Sequence, residues 1–403
     1  MVKKKALFYL SSEFLARGTT FLATLVVAAI FTKEIFGLLT LYLVTFELFT
    51  ILISNGINAE ARINFFKLNN KNFKRTNLIH LFNSLLACFI IIIIGSIAFT
   101  DSLYEIVLLS ISAFFRSIFL LTLAMLQCKE IAKSYFKLNI SFTVLFNSFF
   151  IFFLFLNFKI FAWIYALTIS YSIISLICVK FYFKEYFENF LFFSKKEIKN
   201  QFFSGLIFFP QAIGFWLRTG SERYYLSIFA TMSILGAYAF NFQLSLPIVI
   251  FGNAINIYLT PVIANLLKSN QNKDIFRLLK KYARLTLSTS IIFVFIAFII
   301  SKYFFYEKYY DSFSMTLWLT MVNLFYVLIL LFLNPLYYMG EKKFVSKIIF
   351  SYGVFLAILN YFIVKYFSVY ELIIFNLVTN IVVFLISYFY LKSKLITPKK
   401  LYK

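Results

Sequence analysis

Apolar stretches of about twenty residues alternate with short polar gaps along this whole chain. A run such as 372–391 has the length a helix needs to cross a hydrocarbon layer about 30 Å thick. Twelve spans fit the pattern, at about 6–31, 36–59, 78–99, 103–126, 138–157, 161–182, 204–228, 234–259, 284–303, 313–338, 347–365 and 371–391. Membrane barrel strands would alternate apolar and polar residues over segments of about ten. No such alternation occurs, so the spans are predicted to be helices.

The gaps are of two kinds. Thirty of the 39 Lys and Arg residues fall in every second gap: Lys3–Lys5, Arg62 to Arg75, Lys129 to Lys137, Lys180 to Lys199, Lys268 to Arg284, Lys342 to Lys347 and Lys392 to Lys403. The opposite gaps hold only Lys33, Lys159, Lys302, Lys308 and Lys365. Basic loops stay on the cytoplasmic side, so both termini are expected there. The start has the basic flank of a signal peptide, but its apolar run passes through Glu13 and Arg17 without a small-residue cleavage site. It reads as a retained first span.

The longest polar stretch near the middle, 185–201, divides the chain into six-span halves, 1–193 and 194–403. Six spans return the chain to its starting side, so the halves would be parallel repeats. One echo supports this: Gly37 with Asn55-Gly-Ile-Asn58 recurs as Gly236 with Asn253-Ala-Ile-Asn256. Coincidence in an apolar, low-complexity chain is the competing reading.

Composition agrees with a membrane protein. Of the 403 residues 62% are hydrophobic and 14% charged, and mean hydropathy is +0.86; soluble domains carry nearer a quarter charged residues. The net charge of +23 lies beside membrane spans. Orientation and anionic headgroups explain it better than nucleic acid, for which no binding signature appears. Cys88, Cys128 and Cys178 lack metal-ligand spacing and read as small core residues. Heavy use of Phe, Ile, Leu, Lys and Asn fits AT-rich bacterial coding.

Candidate chemistry lies in the charges inside spans: Glu13 and Arg17, Glu47, Arg116, and Arg218, Glu222 and Arg223. At 1.5 Å per residue Arg17 is about 18 Å from Lys5, and Arg116 about 20 Å from the start of its span. Neither easily reaches a headgroup, so each needs a partner or a wet cavity. Glu13/Arg17 and Arg218/Glu222 have the i, i+4 spacing of pairs on one helix face, and Glu47 could bridge to Arg116. A substrate pathway is the alternative, since a guanidinium fork matches phosphate and carboxylate oxygens. Pro210 and Pro247 are expected to kink their spans, with packing geometry as the alternative and the preferred reading for Pro335. Trp163 and Trp318 read as interfacial anchors, and only Trp216, two residues before Arg218, as a cavity candidate. No phosphate-binding Gly-x-x-x-x-Gly-Lys-Ser/Thr motif occurs. The sole histidine, His80, has no ligand or catalytic partner near it in sequence, so no enzyme site can be assembled.

The segment Gly205-Leu-Ile-Phe-Phe-Pro210 … Trp216-Leu-Arg218-Thr-Gly-Ser-Glu222-Arg223 … Gly236-Ala-Tyr238 resembles spans 7 to 8 of Wzx-type O-antigen flippases. These are the polysaccharide exporters of the multidrug/oligosaccharidyl-lipid/polysaccharide export superfamily. Ser11-Ser-Glu13 … Arg17-Gly18 and Asn55-Gly56 … Glu60-Ala-Arg62 are similar to the same family, which usually has Asp-Arg where this chain has Glu222-Arg223. The resemblance implies an all-α, MATE-like membrane protein: about twelve transmembrane helices in two six-helix lobes around a central cavity. It implies a non-enzymatic flippase of the bacterial inner membrane, moving undecaprenyl-diphosphate-linked oligosaccharide from the cytoplasmic to the periplasmic leaflet. Arg17, Arg116, Arg218, Arg223 and Trp216 would bind substrate, while Glu13, Glu47 and Glu222 would hold the arginines or carry a coupling proton. No cofactor or metal is implied beyond a coupling proton or sodium ion. Partners would be membrane lipids, with a polysaccharide polymerase and a chain-length regulator as protein candidates. A drug/cation antiporter of the same superfamily should favour acidic cavity residues, and this chain has four intramembrane Arg against three Glu. A polysaccharide polymerase should carry a large outer loop, which is absent here.

Overall fold

A computed structural model of the chain describes residues 2–98, 100–183, 193–269 and 271–396. The polar stretch 185–201 therefore lies partly outside the described residues. What is described is nearly all helix: α1 (Val2–Ile30), α2 (Lys33–Ser54), α3 (Ile57–Lys67), α4 (Asn70–Ala98), α5 (Leu103–Cys128), α6 (Ala132–Phe155) and α7 (Phe161–Cys178). There follow α8 (Lys195–Leu206), α9 (Phe209–Thr219), α10 (Ser221–Phe229), α11 (Met232–Lys268), α12 (Asn272–Phe304), α13 (Phe313–Tyr338), α14 (Lys342–Tyr366) and α15 (Val369–Ile396).

Among the described residues ten helical segments are long and apolar enough to cross a membrane, with α2 and α3 counted as one; in α1 the apolar part is Phe14–Ile30. Apolar side chains such as Ile90, Ile93, Ile94 and Ile97 on α4, and Ile291 and Phe295 on α12, lie on the outside. In water such patches would be a liability; against lipid they cost nothing. This is a multi-pass membrane protein.

The seventh expected span, 204–228, is not one helix. It is divided among α8, α9 and α10, with interruptions at 207–208 and Gly220. Pro210 does not kink a helix here; it sits in the first turn of α9, where its missing N–H costs no bond. Pro247 lies within a continuous α11, and Pro335 near the end of α13. The second span also breaks, at Asn55 (φ 42°) and Gly56 (φ 72°). Left-handed backbone at two successive residues ends α2 and turns the chain into α3.

By contacts the chain forms two compact units, one of 1–19 and 41–216, the other of 20–40 and 217–403. Their boundaries fall inside α1, α2 and α9 rather than in a loop. In the first unit, Phe142 stacks on Tyr171 with ring centres 4.3 Å apart. Trp163 meets Phe146 edge-on at 4.9 Å and is 3% exposed, so it is core packing, not an interfacial anchor. Trp318, by contrast, is exposed. The three cysteines are free, and Cys88 and Cys178 are buried.

The second unit holds a close helix crossing between the starts of α2 and α11. A Cβ on Gly37 would come 2.6 Å from the Met232 carbonyl oxygen, and one on Gly236 would strike the Lys33 carbonyl. Nearby, Lys308 donates to the Ala28 carbonyl at 2.8 Å and to that of Phe31, capping the open end of α1. Burial lowers the pKa of this lysine. The cap gives one of the few lysines of the sparsely basic gaps a structural reason.

Candidate functional site

Three polar clusters stand out, two of them in the first unit. On α5, Arg116 donates through Nη1 to Glu47 Oε1 of α2 at 2.8 Å and to Thr50 Oγ1 at 3.3 Å. Its guanidinium lies 4.9 Å from the centre of the Phe46 ring. Thr50 lies one turn after Glu47 and Phe46 directly before it, one turn from Thr50, so a single turn of α2 receives the guanidinium. Side-chain exposure is 19% for Arg116 and 52% for Glu47. The pair is held, yet open on the carboxylate side. Trp216 of α9 donates its indole N–H to the Val44 carbonyl at 2.8 Å, three residues before Glu47. Its polar edge is thus spent on the α2 backbone. Arg17 is exposed on α1, whereas the side chain of Glu13 lies outside the described residues.

The second cluster joins α9, α10, α11, α13, α14 and α15 within the second unit. The interruption at Gly220 leaves Arg218 in the last turn of α9 and Glu222 in the first turn of α10. Each charge then complements the dipole of its own helix end. Arg218 is 7% exposed, and its guanidinium lies 3.6 Å from the centre of the Tyr326 ring. Arg223 lies 4.5 Å from that of Phe242. Asn376 Nδ2 donates to Glu222 Oε2 at 3.0 Å, and Tyr238 also hydrogen-bonds Glu222. Tyr352 donates to Asn380. The Nε atoms of both arginines and Asn376 Oδ1 are buried without a hydrogen-bond partner. Arg218, Glu222, Tyr238, Phe242, Asn376 and Asn380 line a pocket here. Its free space takes a water-sized sphere and no sugar ring.

The third cluster surrounds His80, which is far from isolated. Its Nε2 lies 2.5 Å from Glu60 Oε2, and the other carboxylate oxygen accepts from Gln201 Nε2 and Ser204 Oγ, each at 2.7 Å. Glu60 was visible in sequence only as part of a motif. Asn376 and Asn380, an i, i+4 pair of amides in an otherwise apolar span, were the signal available for the second cluster. Among the described residues no group of three His, Cys, Asp or Glu side chains could hold a metal ion.

Known proteins place this helical frame. A family model described as Polysaccharide biosynthesis protein matches residues 2–267. The chain belongs to that family. Members of the polysaccharide biosynthesis protein family are not its only likeness. An inward-facing multidrug resistance MATE family transporter of the MOP superfamily superposes with a TM-score of 0.73, over 98% of this chain and all of that one, at 14% identity. An outward-facing structure with the same description gives 0.68 over 98% and 96% at 13% identity. A MATE in complex with MaL6 gives 0.67 over 98% and 97% at 14%. Identities this low establish the fold alone, which is all-α and MATE-like. No curated protein matches the sequence of this family member.

Proposed function

We propose that the protein is a flippase. It moves an undecaprenyl-diphosphate-linked oligosaccharide, an O-antigen or related surface-polysaccharide repeat unit, from the cytoplasmic to the periplasmic leaflet of a bacterial inner membrane. Membership of the polysaccharide biosynthesis protein family and the MATE-like transporter fold support a role in transport rather than catalysis. The observation that carries the cargo assignment is the set of guanidinium groups on membrane helices, two of them seated on aromatic rings rather than in tight carboxylate forks. A diphosphate presents oxygens that such groups can bind bidentately, while a polyprenyl tail remains in lipid.

On this reading Arg17 and Arg116 are the reachable contacts, and Arg218 and Arg223 bind once their pocket opens. Trp216 flanks the path. Glu47 positions Arg116, Glu222 positions the second-unit arginines, and Glu13 serves Arg17. Alternating access would run between lobes 1–193 and 194–403, with both termini cytoplasmic. Segments 20–40 and 194–216, which pack in the unit of the opposite half, would link the lobes. A lipid-linked oligosaccharide flipping assay in vesicles tests the assignment. Arg17→Ala and Arg218→Ala should each lose most of the rate at normal protein levels. Wild-type rates in both would sink it, and drug efflux without any effect on surface glycan would point to an antiporter.

A further inference from the structure

Glu60 and His80 are 7% and 1% exposed, a buried carboxylate and imidazole in direct contact. The carboxylate is the hub of three helices. It receives His80 from α4, Gln201 and Ser204 from α8, and Asn64 Nδ2 from its own α3 at 3.3 Å. Asn83, one turn along from His80, donates to the Ile198 carbonyl of α8 at 3.2 Å. Breaking the hub would therefore loosen α8, leaving it held to α4 through Asn83 and the Arg75–Glu197 pair and to Asn55 through the Phe202 carbonyl. Neither the flippase assignment nor its candidate residues makes use of this cluster.

We propose that Glu60 and His80 form a proton-binding site that clamps α8, closed while the proton is bound and released when it leaves. With the proton, imidazolium and carboxylate are a buried pair of zero net charge joined by a charge-assisted hydrogen bond. Without it, a lone carboxylate stays buried on neutral donors, and hydration of that charge favours opening. His80 Nδ1 is buried without a partner, so the protonated ring leaves one orphan N–H. That is a smaller cost than an uncompensated buried charge.

Other charges do not blur the assignment. Between α4 and α8, Arg75 and Glu197 form a separate ion pair at 2.8 Å, which does not titrate near neutrality. Lys195, Lys196 and Lys199 of α8, Lys71 of α4, and Arg62 and Lys67 of α3 are exposed, while Lys74 of α4 is half-buried. From α5, which packs on α3 and α4, Cys128 lies beside Arg62.

The test uses the full chain in lipid vesicles, with Cys88, Cys128 and Cys178 replaced by Ser and a reporter at Asn83→Cys. Maleimide labelling is divided by the labelling of unfolded protein at the same pH, which removes the ionisation of the thiol itself. Between about pH 6 and about pH 8.5 the ratio should rise on the order of fivefold. His80→Gln, which keeps a donor toward Glu60, and Glu60→Gln should both be flat. A constant wild-type ratio, or an undiminished rise in His80→Gln, overturns the proposal. If Asn83→Cys does not accumulate, hydrogen exchange of 195–206 in the wild type against His80→Gln at both pH values gives the same decision. Labelling needs no cargo, so its outcome is separate from that of the flipping assay.

Discussion

Gly205 lies against Asn55 so closely that a Cβ in its place would overlap the Asn55 backbone carbonyl. Asn55 in turn donates its side-chain amide to the Phe202 carbonyl at 2.9 Å. The break between α2 and α3 is thereby seated in the break between α8 and α9. Gly205→Ala should destabilise the protein by about 1–3 kcal/mol, the usual cost of overpacking. Gly18, with nothing near its missing Cβ, is the control, and Ala there should be neutral or stabilising by about 0.5–1 kcal/mol. Thermal unfolding of the purified protein in detergent distinguishes the two.

Arg116 is half-buried with one carboxylate partner. Arg116→Lys keeps the charge but gives up the planar guanidinium, whose Nη1 reaches both Glu47 and Thr50 beside the Phe46 ring. Flipping should fall about tenfold, corresponding to about 1.4 kcal/mol at the transition state. Glu47→Gln leaves the guanidinium in place and should cost less. A larger loss from Glu47→Gln than from Arg116→Lys in the vesicle assay would reverse the roles assigned to them.

Glu197 titrates in a way that can be signed. Hydrogen bonds from Arg75 and then from the Ser194 backbone hold its pKa down at about 2. A depressed acid contributes stability above the ordinary carboxylate range, and that contribution is lost as pH falls toward about 2. The pair is about one-third exposed, so the effect is small and weakened by salt. Melting temperature measured from neutral pH downward should show a shallower acid limb in Glu197→Gln than in the wild type.

Lys308 reaches three carbonyls at the end of α1. Lys308→Met keeps much of the apolar stem but leaves those carbonyls without their donor. A loss of about 1–3 kcal/mol is expected, seen as a lower melting temperature and faster exchange of the amides near residue 30.

The helices were legible because membrane spans must be long and apolar, and the expected span 313–338 coincides with α13. The breaks were not. Asn55-Gly56 sits in an apolar run where its turn chemistry is diluted, and the 207–208 break falls in Ile-Phe with only Pro210 to mark it. Side-chain partners were less legible still. Glu47 and Arg116 are 69 residues apart, so sequence could only offer their bridge as an option. His80 looked alone because its partners are 20 and more residues away, across a helix turn or on α8.

The crossing of Gly37 and Gly236 has one more property. Gly37 meets Met232 and Gly236 meets Lys33, and both pairs of equivalent positions differ by 199 (236 − 37 and 232 − 33). The preceding helices, α1 and α10, end at Ile30 and Phe229, again 199 apart (229 − 30). The contact is reciprocal, because each glycine meets the residue four positions before the other. The same register sets Arg218 opposite Thr19, Glu222 opposite Ala23, Arg223 opposite Thr24, and Arg17 opposite Trp216. No charge on these helices falls on a charge 199 residues away. The glycine contact recurs at this offset, and the charges do not.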